Sequence, residues 1–197
     1  MNLDPLVLEG SVIRLEPLGL HHVDALYAVG TDPSLWALTL SRVNALADME
    51  SYVAQALADQ RDGTALPFAT VERSTGRVIG STRYMNISPA HLRVEIGSTW
   101  IAPPWQRTGV NTEAKLLMLR HAFDSLGCRR VELKTSALNM RSRTAMLRIG
   151  AVEEGTLRRH MVNPDGSARD SVYYSILDSE WPAARQRLTS MVAKYAS

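Results

Sequence analysis

The sequence holds a single cysteine, Cys128, among 197 residues. No intrachain disulfide can form, so a disulfide-stapled scaffold is excluded and a reducing compartment is expected. A lone thiol with no histidine close by also rules out Cys₂His₂ and Cys₄ sites, and no metal is expected. Cys128 follows Leu126-Gly127 and precedes Arg129-Arg130, a helix-to-strand junction where a small buried residue packs well. An excess of one charge is missing too. The 22 basic and 20 acidic residues leave a formal net charge of +2. That balance offers no broad basic face, so nucleic acid is not an expected partner. Long apolar runs are absent: charges interrupt each one before it reaches the length of a membrane span. Met1 to Pro5 lacks the basic-then-apolar pattern of a secretory signal, and the cytoplasm is the expected location. No repeat, low-complexity tract or Gly/Ser/Pro linker divides the chain, so one domain over residues 1–197 is expected.

What is present is the composition of an ordinary globular protein, 45% apolar and 21% charged. Ser11 to Glu16 alternates apolar and polar residues, as a strand does, and Pro17 ends it. His21 to Gly30 has helical spacing. A second helix should start from Asp48 as N-cap and end near Asp62-Gly63. Leu66–Glu72, Arg77–Ile87 and Leu92–Ile101 read as three strands joined by tight turns. In the third, strict alternation puts Val94, Ile96, Ser98 and Trp100 on one face, with Glu95, Gly97 and Thr99 opposite. A long helix follows from Thr112 to about Ser125, with Leu116, Leu117, Leu119, Arg120 and Phe123 as its stripe. Then come a strand at Arg130–Thr135, a short helix at Asn139–Arg148, strands at Val152–His160 and Arg169–Leu177, and a C-terminal helix at about 179–193. This is an α+β order with a mixed sheet.

The segment WIAPPWQRTGVNTEAK, Trp100 to Lys115, carries the chemistry. A strand ends, a short loop turns, and a long helix begins. The first N–H groups of a helix lack internal partners and lie at the positive end of its dipole, so they suit an anion. Gly109 lets a backbone approach a phosphate closely. Arg107 can add a charged contact, and Thr108, Asn111 and Thr112 can donate from their side chains. A plain strand-to-helix connection with Thr112 as N-cap fits this segment equally well. The turn is neither a P-loop nor a dinucleotide fingerprint, which need further glycines or a Gly-Lys-Ser/Thr. The next crossover adds weight. If the strands on either side of the long helix are parallel and splay apart, a linear ligand can enter between them. Its phosphates would then meet the helix start, and its far end would lie near Asn139 and Ser142.

With these features in order, the chain resembles the GNAT acetyltransferases, near the branch of Rim-type ribosomal-protein N-terminal acetyltransferases. The resemblance covers about residues 10 to 180. It rests on SVIRLEPL, VEIGSTWIAPPWQRTGVNTEAKLLML, RRVELKTSALNMRSRTAMLRIGAVEEG and RDSVYYSILDSEW. It implies a central sheet of about seven strands, splayed between strands 4 and 5 and flanked by helices. It implies acetyl-CoA as donor and a primary amine as acceptor. The family's pyrophosphate motif, Gln/Arg-x-x-Gly-x-Gly/Ala, falls on Gln106-Arg107-Thr108-Gly109-Val110-Asn111, with Asn111 departing from Gly/Ala. Backbone groups near Trp100, Ile101 and Ala102 would pair with the pantetheine arm, and the Asn139 amide would hold it. Ser142 would protonate the leaving thiolate. Glu95 is the candidate general base, with His91 and His160 as alternatives. Its other reading is a strand carboxylate paired with Arg83 or Arg93. Trp36 and Tyr84 are candidates for acceptor contact, with a core role as the alternative for Trp36. The C-terminal helix, with Trp181, Leu188, Met191 and Tyr195, can pack at home or against a second copy. A catalytically silent CoA-binding sensor is the alternative function.

Overall fold

The computed structural model describes residues 1–195. Apolar residues alternate along the strands, and in β2 this buries Ile13 and Leu15 while Arg14 and Glu16 stay partly exposed. The strands are β1 (Leu8–Glu9), β2 (Ile13–Pro17), β3 (Leu66–Glu72), β4 (Val78–Ser88), β5 (Arg93–Ile101), β6 (Arg130–Ser136), β7 (Val152–Val162) and β8 (Ala168–Leu177). They form one eight-stranded sheet in the order β1-β2-β3-β4-β5-β6-β8-β7. The strand the sequence reading lacks is the two-residue β1, which is too short to show a period. All neighbours are antiparallel except β5 and β6, the parallel pair joined through a helix.

The helices are α1 (Val23–Gly30), α2 (Leu46–Arg61), α3 (Val110–Arg120, continued by a π-helical turn at His121–Ser125), α4 (Met140–Arg148) and α5 (Trp181–Val192). Asp48 is not the N-cap of α2. The cap is Ala45, and the Asp48 carboxylate reaches back to the Asn44 and Ala45 amides at 2.8 and 2.9 Å. Those bonds hold its carboxyl below the usual range. α3 starts two residues before Thr112. Pro182 sits in the first turn of α5, where its missing N–H costs nothing.

Two cores flank the sheet. On one face, Leu117, Met118 and Leu119 of α3 and Leu188 of α5 pack on Val94, Ile96, Val131 and Leu133. On the other, Val23 and Leu26 of α1 and Met49, Val53 and Ala56 of α2 pack on Ala69 and Trp100. Each large apolar side chain fully buried this way contributes about 1.5–3 kcal/mol. Cys128 lies in the first core, and burial pushes its thiol up to about 11. That confirms packing and makes a thiolate nucleophile untenable.

One buried cation stands out in that core. The Lys115 ammonium of α3 donates to the Thr99 hydroxyl at 2.8 Å, and Thr99 in turn bonds Thr82 at 2.7 Å. Desolvation lowers the Lys115 pKa to about 7, against a usual value near 10.5. Above pH 10.5 both folded and unfolded chains hold a neutral amine. As pH falls towards 7, the unfolded chain binds the proton first, so stability drops by up to about 1.4 kcal/mol per unit. Below pH 7 the folded chain is protonated too and the drop ends. Lys115→Met is therefore expected to be more stable than the parent at pH 7 and to lose this slope. Urea denaturation from pH 6 to 10 checks it, and parallel curves for the two proteins would refute it.

Candidate active site

The parallel pair β5/β6 keeps register for only three residues: Arg93 with Arg130, Val94 with Val131 and Glu95 with Glu132. Both strands continue beyond, β5 to Ile101 and β6 to Ser136, without pairing to each other. A wedge opens there, with Glu95 beside its vertex. α3 begins past the open end of β5, and α4 begins past the open end of β6.

The face that Glu95 occupies departs from strict alternation. Ser98 has a left-handed φ of 46°, and the β4/β5 register shifts between Ser81/Arg83 and Met85/Ser88. This bulge moves everything after it by one position. Val94 and Ile96 belong to the α3 core, and Thr99 also meets α3 through Lys115. Trp100 belongs to the α1/α2 core. Glu95 and Trp100 therefore share the α1/α2 face rather than standing opposite. Tyr52 of α2 reaches the bulge, its hydroxyl donating to the Ser98 carbonyl at 3.3 Å.

Glu95 is only 2% exposed. Its carboxylate accepts from the Asn86 amide at 2.8 Å and lies 3.5 Å from Lys134, whose ammonium sits over the Tyr173 ring. The arginines expected beside it are elsewhere: Arg83 faces Asp59, and Arg93 pairs with Glu132. His91 lies in the turn before β5, at the closed end of the wedge, and is set aside as a base. His160, on β7, packs edge-on to Tyr173.

Backbone pairing sorts the three residues at the end of β5: by alternation Trp100, opposite Ser81, turns its backbone groups to β4 and not into the wedge. The Ala102 N–H donates to the Ile79 carbonyl and its own carbonyl accepts from the Trp105 amide, so Ala102 has no N–H left to donate to a pantetheine arm. By alternation the Ile101 backbone faces away from β4, into the wedge. Its carbonyl already accepts from the Gln106 side chain at 2.7 Å.

The turn itself is tightly bound. The Gln106 oxygen accepts from Arg141 of α4 at 2.8 Å, bridging the open end. Arg107, exposed, carries the left-handed φ of 61°. Thr108 donates to the Trp105 carbonyl at 2.6 Å and accepts from the Val110 amide. Asn111 is an ordinary helical residue of α3, so its departure from Gly/Ala strains nothing. Thr112 is fully buried and accepts from Arg148 of α4 at 3.0 Å, which corrects its expected place on the ligand. Gly109 is needed for a second reason. A Cβ there would lie 2.9–3.0 Å from Cβ, Cγ and Cδ2 of Tyr195, in the C-terminal turn. The C-terminal helix thus packs at home, against α3.

Across the wedge, Asn139 caps α4: its side-chain oxygen accepts from the Ser142 amide at 3.1 Å. Its NH₂ remains to donate. Tyr84 is wholly buried, with its hydroxyl on the Met118 carbonyl under α3, so it does not reach an acceptor. Trp36 is also buried. Its indole N–H bonds Gly30, and its ring lies 5.3 Å from that of Trp100. The loop after it, however, lines a cavity of about 340 Å³ together with Leu138, Asn139, Met140 and Arg141. A larger hollow of about 500 Å³ between α1 and α2 lies away from the wedge. No group of metal-ligating side chains occurs among the described residues, and no described helix is long and apolar enough to cross a membrane.

The comparisons with known proteins agree with this geometry. The model of the acetyltransferase (GNAT) domain matches residues 13–152. A relative from Bacillus subtilis (strain 168), named "Putative ribosomal N-acetyltransferase YdaF", is 34% identical over 106 residues. That match covers 54% of this chain, which spans 57% of the relative's length. The structure of a GCN5-related N-acetyltransferase from Brucella melitensis superposes with a TM-score of 0.89 at 34% identity, covering 96% of this chain and 86% of that one. Mycobacterium smegmatis RimJ in complex with CoA-disulfide superposes at 0.78 with 26% identity, covering 98% and 94%. The splayed parallel pair, the turn onto α3 and a family match over most of the chain lead to one conclusion: this protein belongs to the GNAT acetyltransferase family.

Proposed function

We propose that this chain, working as one domain, transfers an acetyl group from acetyl-CoA to a primary amine: a polypeptide N-terminus or a small-molecule amine. The observation that carries this reading is the wedge between β5 and β6, which opens after Glu95 with the start of α3 and the cap of α4 at its mouth. The CoA-disulfide in the RimJ relative supports the same donor here. Bound acetyl-CoA supplies the thioester.

The chain's own groups then divide the work. The Ile101 amide and the Asn139 NH₂ hold the donor's arm. The turn Gln106 to Asn111 presents the free amides of α3 to the pyrophosphate, with Arg107 as a nearby cation. Thr108 and Val110 shape that turn rather than contact the ligand. Trp100 and Trp36 form the wall behind the acceptor. Glu95, on the same face as Trp100, takes the proton from the amine directly or through water. The amine nitrogen bonds the thioester carbonyl carbon, the C–S bond breaks, and the Ser142 hydroxyl passes a proton to the departing thiolate while taking one from water. An α-amine, with a pKa near 7.7–8.0, is partly neutral at pH 7 and asks less of a base than a lysine does.

Glu95→Gln is expected to lower kcat on the order of 10²-fold, and Ser142→Ala about tenfold, the equivalent of one hydrogen bond. Calorimetric titration with acetyl-CoA and thiol release across an amine panel test the reading. Absence of micromolar binding would sink it. Binding without thiol release from any amine would replace it with the sensor reading, which the Lys134 and Asn86 bonds of Glu95 favour.

A further inference from the structure

The 340 Å³ cavity beside Asn139 carries information about the acceptor. One wall is the segment Ser34 to Thr39 between α1 and α2, and the other is Leu138 to Arg141 at the start of α4. Large apolar side chains stand in water on both sides: Leu38 at 38% exposure, Leu138 at 77% and Met140 at 60%. Three such residues converging on one hollow mark a binding surface better than scattered exposure does. The hollow is pre-shaped. Asp32 caps the turn at Ser34, Thr39 binds the Trp36 and Ser41 carbonyls, and Arg169 of β8 holds the Leu38 carbonyl at 3.1 Å.

Its charge is one-sided. Among the described residues no carboxylate lines it, and the charged side chain in its wall is Arg141. Behind Leu38, Arg169 is buried and forms no ion pair among the described residues, and its Nε has no partner. A guanidinium buried without a counter-charge gives the pocket a positive potential. A polyamine or an aminoglycoside carries several cations, and each would need a carboxylate here. A single amine flanked by an apolar group needs none.

We infer that the acceptor is a polypeptide N-terminal amine whose neighbouring side chain is apolar, seated between Leu38, Leu138 and Met140, and that polycations are excluded. This rests on the proposed acetyl transfer and narrows its substrate. The experiment compares kcat/KM, by thiol release, for peptides beginning Ser-Leu, Ser-Glu and Ser-Lys and for spermidine, with wild type and Leu138→Asp. Leu138 is exposed, so the variant should fold, and circular dichroism confirms that. The Ser-Leu peptide is expected to exceed Ser-Lys and spermidine by at least about tenfold, the effect of one buried apolar group. Leu138→Asp should erase or reverse that ratio. Preference for spermidine, Ser-Lys or Ser-Glu over Ser-Leu, or an unchanged ratio in the variant, overturns the inference. Turnover of any panel member keeps the transferase reading intact in either case. Binding of acetyl-CoA with no turnover of these four acceptors, while another amine is acetylated, overturns the acceptor assignment alone; binding with no turnover of any amine, or failure to bind acetyl-CoA, overturns the function beneath it.

Discussion

Glu113→Ala is expected to cost about 3–5 kcal/mol of stability, the largest single-site loss anticipated in this protein. Glu113 stands in the first turn of α3 and is only 3% exposed. Its two carboxylate oxygens accept four hydrogen bonds at 2.7 Å, from the Ser11 amide and hydroxyl and from the Val12 and Ile13 amides. Removing the carboxylate leaves three backbone N–H groups without partners. Each costs about 1–3 kcal/mol when buried, less for Ser11, which water can reach. Gly10 is part of the same device, since a Cβ there would lie 2.4 Å from the Glu113 carboxyl carbon. Glu113→Gln keeps one acceptor but turns an NH₂ towards the amides, so an intermediate loss is expected. Urea denaturation measures both. A loss under about 1 kcal/mol for alanine would mean that the carboxylate does not hold the sheet edge. Because the bond set ties α3's first turn to β2, donor affinity should fall with stability, and calorimetry on the folded fraction reads that.

Glu113 also shows where sequence reading stops. The order of elements and the parallel crossover are legible, because apolar periodicity and turn residues are local signals, whereas the splay of the parallel pair is implied only by the family resemblance. The stripe read on α3 was incomplete. Leu117 and Leu119 are buried as expected, and Arg120 is exposed, but Glu113 and Lys115 are buried as well. A glutamate and a lysine look like a solvated helix face until β2 and Thr99 are brought to them by the fold. The bulge at Ser98 left no mark either. A serine in a strand reads as one more alternating residue, yet it moves Trp100 to the side of Glu95. Likewise Tyr84 alternates correctly but lies on the α3 face, away from any acceptor. The Arg141–Gln106 and Arg148–Thr112 bonds join segments about 35 residues apart, and nothing in the spacing of a single chain announces them. Leu138 and Met140 carry no local signal, because a single exposed apolar residue is ordinary. Their meaning comes from Leu38, about a hundred positions away.

The second large effect is expected at Gly109, where the structure supplies two competing reasons for a glycine. Gly109→Asp would put a carboxylate beside the donor's pyrophosphate, and like-charge contact costs several kcal/mol, so CoA affinity should fall by about 100-fold or more. The direction of a Cβ at Gly109, however, points at the Tyr195 ring. Any side chain there must displace that ring, and overpacking of this kind costs about 1–3 kcal/mol by itself. A weakened Gly109→Asp alone would therefore not locate the phosphates. Gly109→Ala, Tyr195→Gly and the double variant separate the causes as a mutant cycle, glycine being needed because the Tyr195 Cβ is itself one of the clashing atoms. If the glycine serves Tyr195, Gly109→Ala loses stability, and the loss disappears once Tyr195 is glycine. If the turn also carries the pyrophosphate, Gly109→Asp stays weak for CoA in the Tyr195→Gly background, where the steric cause is gone. Recovery of full CoA affinity by Gly109→Asp in that background would move the pyrophosphate away from the start of α3.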